Sequence, residues 1–287
     1  MIEHKFTDHF YNLVLKENLV VPKFAVLSDI HGNSVALQAV LTDLYACYNI
    51  DQVFVLGDLV VFGPDPAGVI DILRTFKPLV NLRGNTDRYL LEEKYPLNIA
   101  QDWQSQVLAS FDWTAKQLSS ADFEYLRDLS CYRLIRFDGS EHTVLAVHGS
   151  PRSDEENIRP DTPEAELSQM LKLDVIYDLL LCAHTHVPMD RVVDGVRVIN
   201  TGSVGLPFDG DPRASYVVID QRSSGDYKVE FRRVAYDVDA VVRQLVTRRH
   251  PAAAVQTYNL RRALPVDRKL IYTDAMRQGH NLQPAGL

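Results

Sequence analysis

Seven side chains that can bind a metal ion follow short apolar runs in this sequence. They are Asp29, His31, Asp58, Asn85, His148, His184 and His186. Five separate apolar runs end in such a residue, whereas a random scatter would also place them inside helices and early in strands. In open α/β sheets, ligands gather at the carboxyl ends of the strands. We therefore expect these seven side chains to converge at one edge of a sheet.

The donor types suggest which ions such a site would take. Carboxylate and amide oxygens with imidazole nitrogens, and no thiolate, suit manganese, iron, zinc, nickel or cobalt better than a structural zinc cluster. Seven donors are too many for one ion with an open position, and two ions sharing a carboxylate fit better. Two ions about 3.5–4 Å apart can polarise a phosphoryl oxygen and generate a hydroxide nucleophile near neutral pH.

Each of these residues has an ordinary explanation when taken alone. Asp29 and Asp58 could cap helices or form turns, and Asn85 beside a glycine is a turn signal. His148 could be a strand-end histidine with an ordinary hydrogen-bond partner. One shared site is favoured because it accounts for all seven positions together.

The elements that would position these residues alternate between strand and helix, which predicts an α/β fold. Apolar runs predict strands at 24–27, 53–56, 79–82, 131–137, 142–147, 179–183, 215–219 and 227–234. Asp194-Gly195 predicts a two-residue hairpin turn between strands at 191–193 and 196–199. Apolar spacing predicts helices after Asn33, at 67–76, within 100–130, after Thr162 and Pro163 as cap and first residue, and from Asp237 to about 248.

Composition limits the class of protein. The chain has 287 residues, 46% of them hydrophobic, and a formal net charge of -8, which disfavours a nonspecific nucleic-acid binder. Three cysteines provide no disulfide framework. The first residues lack a secretory apolar region, and no apolar run approaches the roughly 20 residues of a membrane span. We expect a cytoplasmic protein with no membrane partner.

Five motifs in order resemble those of the calcineurin-like metallophosphoesterases. They are Asp29-x-His31, Gly57-Asp58, Gly84-Asn85-x-Asp87, His148 and Ala183-His184-x-His186, and the resemblance covers about residues 22–235. The segments His148-Gly149-Ser150-Pro151 and Gly202-Ser203-Val204-Gly205-x-Pro207 look most like small bacterial phosphodiesterases and related nucleotide or phosphoprotein phosphatases.

The resemblance implies a four-layer αββα sandwich, in which helices flank two mixed β-sheets and a dimetal site lies at the carboxyl edge of the strands. We place this metallophosphoesterase domain at 22–250, after an N-terminal segment, 1–21, and before a C-terminal extension, 251–287. The cofactors would be two divalent ions, with manganese favoured over iron, zinc, nickel or cobalt. One ion would bind Asp29, His31, Asp58 and His186, and the other would bind Asp58, Asn85, His148 and His184.

The family pattern also implies catalytic and substrate-binding residues for hydrolysis by a metal-bridging hydroxide. The catalytic set is Asp58, Asn85, Arg83 and His148. Arg83 matches an arginine of the phosphoprotein phosphatases, and a guanidinium can grip phosphate through two hydrogen bonds. Asn85 and Arg213 are further candidates for contact with a small phosphorylated or nucleotide substrate.

Thr86 departs from the family pattern. Many members carry a histidine there that is thought to protonate the leaving group, and losing such an acid typically costs about 10²–10⁴-fold. We therefore expect phosphodiesters, phosphoanhydrides such as dinucleoside polyphosphates, or activated esters as substrates. Asp87, without that histidine, is expected to pair with Arg83 or Arg88.

Other interpretations remain open at this stage. A Ser/Thr phosphoprotein phosphatase of the same superfamily, a scaffold that has lost the chemistry and a metal-dependent nuclease are the alternatives. The filled ligand positions argue against a scaffold, and the net charge of -8 argues against a nuclease. We expect 151–172 to form part of a cap over the site and His250 to lie at the surface. Oligomeric state is left open.

Overall fold

Short strands rich in β-branched and aromatic residues alternate with amphipathic helices along the chain. The computed structural model describes residues 14–17, 23–50, 52–78, 80–94, 101–137, 142–221 and 226–265, with backbone alone at 14–17 and 101–104. The strands are β1 (Val14–Glu17), β2 (Lys23–Leu27), β3 (Gln52–Val55), β4 (Val80–Asn81), β5 (Tyr132–Phe137), β6 (Thr143–Val147), β7 (Leu179–Cys182), β8 (Met189–Val193), β9 (Val196–Asn200), β10 (Ala214–Gln221) and β11 (Tyr227–Val234). The helices are α1 (Ser34–Cys47), α2 (Pro66–Phe76), α3 (Asn85–Glu92), α4 (Gln101–Gln117), α5 (Ser120–Asp128), α6 (Glu164–Met170), α7 (Val238–Thr247) and α8 (Ala253–Arg262).

The strands form two mixed sheets. One has the order β1-β5-β6-β7-β9-β8, and the other has the order β11-β10-β2-β3-β4. Strands β2, β3 and β4 are parallel, as are β6, β7 and β9, whereas β10, β11, β5 and β8 supply antiparallel pairings. The predicted α/β architecture of two mixed sheets flanked by helices is confirmed.

Side-chain alternation along the strands builds the layers. Phe24 of β2 stacks on Phe54 of β3 with ring centroids 4.9 Å apart, and both pack with Val144 of the other sheet. Ala25, the next residue of β2, points to the opposite face of the sheet and packs against α1 and α2. Successive residues of a strand point to opposite faces, so each inner strand contributes to two apolar layers. Helix α6 covers the outer face of the six-stranded sheet, which contains β5, β6 and β7, through Leu167.

Local capping explains where several helices begin. Asn33 accepts a hydrogen bond from the Ala36 amide at 3.0 Å, and Asp237 accepts one from Ala240 at 2.8 Å, as the sequence predicts. Thr162 does not cap the next helix as expected, because its hydroxyl accepts from the Arg159 amide instead. Helix α6 therefore begins one residue later than predicted, at Glu164.

Three elements lie where no helix or strand was predicted. They are β1, which pairs in parallel with β5; α3, which begins directly at Asn85; and α8, in the segment expected to be an extension. Helix α8 packs its Leu260 against Leu245 of α7, so these two helices share an apolar cluster. The domain boundaries proposed from sequence stay predictions. Within the described residues, every helix is too short or too polar to cross a bilayer.

Candidate metal centre

The seven candidate ligands lie just beyond the strands that precede them. Asp29 and His31 follow β2, Asp58 follows β3, and Asn85 opens α3 after β4. In the six-stranded sheet, His148 follows β6, while His184 and His186 follow β7. Because these strands are parallel within each sheet, their carboxyl ends deliver all seven side chains to one edge of the sandwich.

The donor atoms gather into two overlapping groups. Each group offers one ligand atom per residue, and these atoms lie within 4.8 Å of one another: Asp29, His31, Asp58 and His186 in the first, and Asp58, His148 and His184 in the second. Asn85 joins the second group, because its Oδ1 lies 3.0 Å from Nε2 of His148. Asp58 belongs to both groups, its Oδ2 lying 3.6 Å from His31 and its Oδ1 lying 3.5 Å from His148.

The imidazole rings of the first group are oriented for a cation. A carbonyl oxygen can only accept, so Nδ1 of His31, 2.9 Å from the Val61 carbonyl, must carry a proton, and so must Nδ1 of His186 beside Leu206. Each neutral ring then presents an Nε2 lone pair, and these two nitrogens lie 3.1 Å apart. Two facing lone pairs repel unless a cation or a proton lies beside them. The residues therefore fit a bound metal ion.

The rings of the second group are held in the same way. His148 directs Nδ1 to the Leu56 carbonyl at 2.7 Å and leaves Nε2 towards Asp58. His184 is held by its other nitrogen, because Nε2 lies 3.1 Å from the Glu155 carbonyl and Nδ1 is left for an ion. Backbone carbonyls thus select the tautomer of all four histidines.

Backbone conformation at the site is unusual. Five of the seven candidate ligands have left-handed φ values: Asp29 (51°), His31 (48°), Asp58 (54°), His184 (67°) and His186 (58°). Such values are uncommon outside glycine and cluster at functional sites. Here they turn the chain sharply at the strand ends and direct the side chains towards a common centre.

Glycine is required where two of these turns meet. A Cβ on Gly84 would lie 2.1 Å from Oδ1 of Asp58, so no side chain fits there. The close approach lets the amide of Thr86 donate to that same Oδ1 at 2.9 Å. The first turn of α3 thereby fixes the carboxylate that the two groups share.

Asp87 supports this turn rather than pairing with an arginine. Its carboxylate accepts from the amides of Leu59 (2.9 Å) and Gly84 (3.0 Å), which corrects the expected pairing with Arg83 or Arg88. Arg88 instead binds Asp154 through two hydrogen bonds, at 2.7 and 2.9 Å. Asp87 lies in the first turn of α3, where backbone amides without a partner in the helix attract a carboxylate.

The buried aspartate and histidines of the site differ in which of them carries a charge. Burial opposes ionisation of Asp58, yet His148 and His31 hold the pKa of its carboxyl far below the usual range. Burial lowers the pKa of His31 to about 4 despite Asp58. Burial would also lower the pKa of His148, but Asp58 outweighs it and raises that pKa to about 10. Without metal, a proton on His148 therefore supplies positive charge that a bound cation would replace.

A cavity of about 460 Å³ opens beside the donor atoms. Five of the candidate ligands, His31, Asp58, Asn85, His184 and His186, line it. The rest of the lining includes Phe62, Thr86, Tyr89, Leu206 and Phe208 together with residues of α4 and α8, among them Val107, Ser110, Phe111, Gln256 and Asn259. Apart from Thr86, sequence reasoning missed these other wall residues, since nothing in their spacing marks them as facing a site.

One expectation about the surroundings of the site differs from the structure, and another stays open. The cap over the cavity comes from α4 and α8, and no residue of 151–172 lines it. That segment acts on the site through the Glu155 carbonyl instead. Neither Arg83 nor Arg213 is among the described residues that line the cavity, and Arg213 forms an exposed ion pair with Asp211. Their substrate contacts stay predictions.

Comparison with known proteins agrees with this geometry. A family model described as the calcineurin-like phosphoesterase superfamily domain matches residues 23–224. The Methanocaldococcus jannaschii protein MJ0912 is 29% identical over 250 residues, covering 81% of this chain and 96% of that protein. The crystal structure of a metallophosphoesterase from Sphaerobacter thermophilus matches with a TM-score of 0.67 and 27% identity, over 85% of this chain and 100% of that one. The crystal structure of PH1004 from Pyrococcus horikoshii OT3 matches with a TM-score of 0.73 and 26% identity, over 85% and 99%.

The chain therefore belongs to the calcineurin-like phosphoesterase superfamily, as the sequence motifs predict. It is a metallophosphoesterase, a metal-dependent hydrolase that acts on phosphate esters. Together with the clustered carboxylates and imidazoles, this family membership indicates a divalent dimetal site.

Proposed function

We propose that this enzyme hydrolyses phosphodiesters, phosphoanhydrides or activated phosphate esters of small molecules, and that phosphoserine is a poor substrate. The observation that carries the proposal is the identity of Thr86. Its side chain lines the cavity beside Asp58 and Asn85. Many members of the superfamily carry a histidine at this position. A threonine hydroxyl cannot give up a proton near neutral pH.

The donor groups account for the first half of the reaction. When bound, two divalent cations would neutralise charge on the phosphoryl oxygens and supply a hydroxide nucleophile. Asp58 would tie the two halves of the site together, because its two oxygens face different histidines. Asn85 and His148 lie on one side of it, and Asp29 and His186 lie on the other.

The second half of the reaction concerns the leaving group. Every imidazole among the described cavity residues belongs to the candidate ligand set, so none is free to act as a general acid. The Tyr89 hydroxyl also lines the cavity, but burial and the neighbouring Glu155 raise its pKa. The buried hydroxyl of Thr86 has no hydrogen-bond partner and can only donate a hydrogen bond to the departing oxygen. The leaving group must therefore be stable as an anion.

Manganese is the ion we propose for both positions. The donors are carboxylate and amide oxygens with imidazole nitrogens, and no cysteine lies among the described residues lining the cavity. Hard oxygen donors suit manganese, while mixed oxygen and imidazole sets also accept iron, zinc, nickel or cobalt. Removing the metal with a chelator and measuring the activity that each ion then restores would rank the five ions.

A leaving-group series tests the proposal directly. Methyl aryl phosphodiesters with aryl groups of increasing acidity, alkyl phosphates and a phosphoserine peptide would be hydrolysed with added manganese. We expect rates to rise steeply with leaving-group acidity and the phosphopeptide to be slower by at least about a hundredfold. A phosphopeptide that turns over fastest would contradict the proposal, and so would rates independent of the leaving group.

A further inference from the structure

The wall that α8 contributes to the cavity contains two side-chain amide oxygens without partners. Gln256 and Asn259 lie three residues apart on α8, on the same face of the helix, and both line the cavity. Each residue is 6% exposed, and neither Oε1 of Gln256 nor Oδ1 of Asn259 has a hydrogen-bond partner. Buried amide oxygens are nearly always paired, so two unpaired ones on residues that line the same cavity point to a ligand that completes them.

Aromatic rings line the same space. Phe62 and Phe111 meet edge to face with centroids 5.8 Å apart, and Tyr89 meets Phe111 in the same manner at 6.2 Å. Phe208 lies flat against His186, with centroids 4.5 Å apart. A wall built from ring faces and edges favours a flat, unsaturated group over a flexible chain.

The charge of the described lining disfavours an ionic group beyond the candidate ligands. No lysine or arginine is among the described residues that line the cavity, and Asp58, the carboxylate there, belongs to the ligand set. A polyphosphate chain extending past the ligands would leave several negative charges without partners in such a space. A neutral group therefore fits this lining, with the reacting phosphate held at the candidate ligands.

We propose that the part of the cavity lined by α8 binds the base of a nucleoside phosphate ester. Gln256 and Asn259 would hydrogen-bond to the edge of the base, and the aromatic rings would pack against its faces. A carboxamide carries a donor and an acceptor side by side, which matches the donor and acceptor pattern of a nucleobase edge. The inference rests on the proposed function and narrows it, since it makes these two residues determinants of specificity.

A pair of substrates isolates the contribution of the base. A nucleoside 5′-(p-nitrophenyl) phosphate and methyl p-nitrophenyl phosphate release the same phenolate and differ in the nucleoside. In both, water adds to phosphorus, the phosphorus–phenolate bond breaks, and the proton of the water is released. We expect the wild-type enzyme to show a KM for the nucleoside ester at least about tenfold lower, with similar kcat. Equal KM values for the two esters would overturn the inference without requiring any variant.

Substitutions then assign the effect to residues. Gln256→Leu and Asn259→Leu should each raise KM for the nucleoside ester about three- to tenfold, the value of one hydrogen bond. Neither substitution should change KM for the methyl ester. Gln244→Leu is the matched control, because Gln244 also has an unpaired Oε1 but lies on α7 and does not line the cavity. Gln244→Leu should change KM for neither ester. Equal losses on both esters would indicate a structural role and contradict the inference.

A binding measurement separates this inference from the proposed function. Calorimetric titration of the metal-free enzyme with adenosine or guanosine requires neither a phosphate nor turnover. Binding that is weakened by Gln256→Leu and retained by Gln244→Leu would support the base site even if no ester were hydrolysed. Hydrolysis of the methyl ester without nucleoside binding would overturn the base site and leave the phosphoesterase function standing.

Discussion

The Nε2 atoms of His31 and His186 lie 3.1 Å apart, although the two residues are separated by 155 positions and follow strands of different sheets. Each ring already donates its other nitrogen's proton to a backbone carbonyl. The contact therefore brings together two nitrogen lone pairs from different sheets. A divalent cation stabilises this arrangement, and the metal-free protein tolerates it when one of the two rings takes up a proton.

Removing either ring should empty one of the two metal positions. We expect the wild-type enzyme, loaded with manganese and desalted, to retain about two ions per chain and His31→Ala or His186→Ala to retain about one. Atomic emission spectroscopy would count them. The control His142→Ala alters a partly exposed histidine beside Asp178 and should retain both ions. Two ions bound by His31→Ala would contradict the assignment.

Adding one methyl group at Gly84 should disable the site while leaving the fold intact. Alanine accepts the Gly84 backbone (φ -89°), but its Cβ would meet Oδ1 of Asp58 at 2.1 Å. Gly84→Ala should lower activity at least about tenfold through displacement of that carboxylate. Gly210→Ala is the control: its φ of 83° makes alanine strained, but nothing lies within 4 Å of the new Cβ. Activity and metal content should persist in that variant, and a fully active Gly84→Ala would refute the crowding argument.

Restoring an imidazole at position 86 should broaden the substrate range. Thr86→His places a group that titrates near neutral pH at the cavity wall, where it can protonate an alkoxide. We expect hydrolysis of alkyl phosphates to rise at least about tenfold and hydrolysis of p-nitrophenyl esters to change little. Thr86→Val, which keeps the shape without the hydroxyl, should improve neither. A pH profile of kcat for the alkyl substrate would show a new ionisation only in Thr86→His.

Arg88 should act on metal binding at a distance. Its guanidinium holds Asp154 at 2.7 Å and Glu155 at 2.6 Å, and the Glu155 carbonyl in turn orients His184. Arg88→Met should weaken the second ion about 10–100-fold and leave the first unchanged, as measured by calorimetric titration with manganese. Arg152→Met removes an arginine that lies in the same loop as Glu155 but pairs with Glu156, and it should have little effect. Equal weakening of both ions would argue for general destabilisation.

His250 should make the enzyme sensitive to mild acid. The residue is 3% exposed rather than at the surface as expected, and its ring packs against Trp113 between α7 and α8. Burial lowers the pKa of His250 from 6.5 to about 4. The folded state therefore binds this proton more weakly than the unfolded state. Its stabilising contribution is complete above pH 6.5 and disappears as pH falls to about 4, a loss of at most about 3 kcal/mol.

Urea unfolding across this pH range tests whether His250 lowers the free energy of unfolding as the pH falls. His250→Gln should show a shallower decline in the free energy of unfolding than the wild type as pH falls from 6.5 to 4. The control Gln244→Leu, which alters α7 without removing an ionisable group, should keep the wild-type slope. Identical slopes for all three proteins would show that His250 contributes nothing to acid sensitivity.

The sequence by itself determined which strands exist and which side chains lie at their ends. Apolar runs such as 53–56 and 179–183 end within a residue of β3 and β7, and ligand-type residues follow at once, so each signal is local. Parallel pairing then brings these ends together wherever the strands lie in one sheet. For this reason the cluster around Asp58 could be anticipated without coordinates.

Only the tertiary structure decided what surrounds that cluster. Asp87 binds the amides of Leu59 and Gly84 because α3 begins at Asn85, a start that the Gly84-Asn85 turn signal concealed. In the sequence, Gln256 and Asn259 are ordinary polar residues of a weakly periodic segment. They line the cavity only because α8 packs across the site. Such contacts depend on how distant helices dock, and docking is set by the summed burial of many side chains rather than by any short pattern.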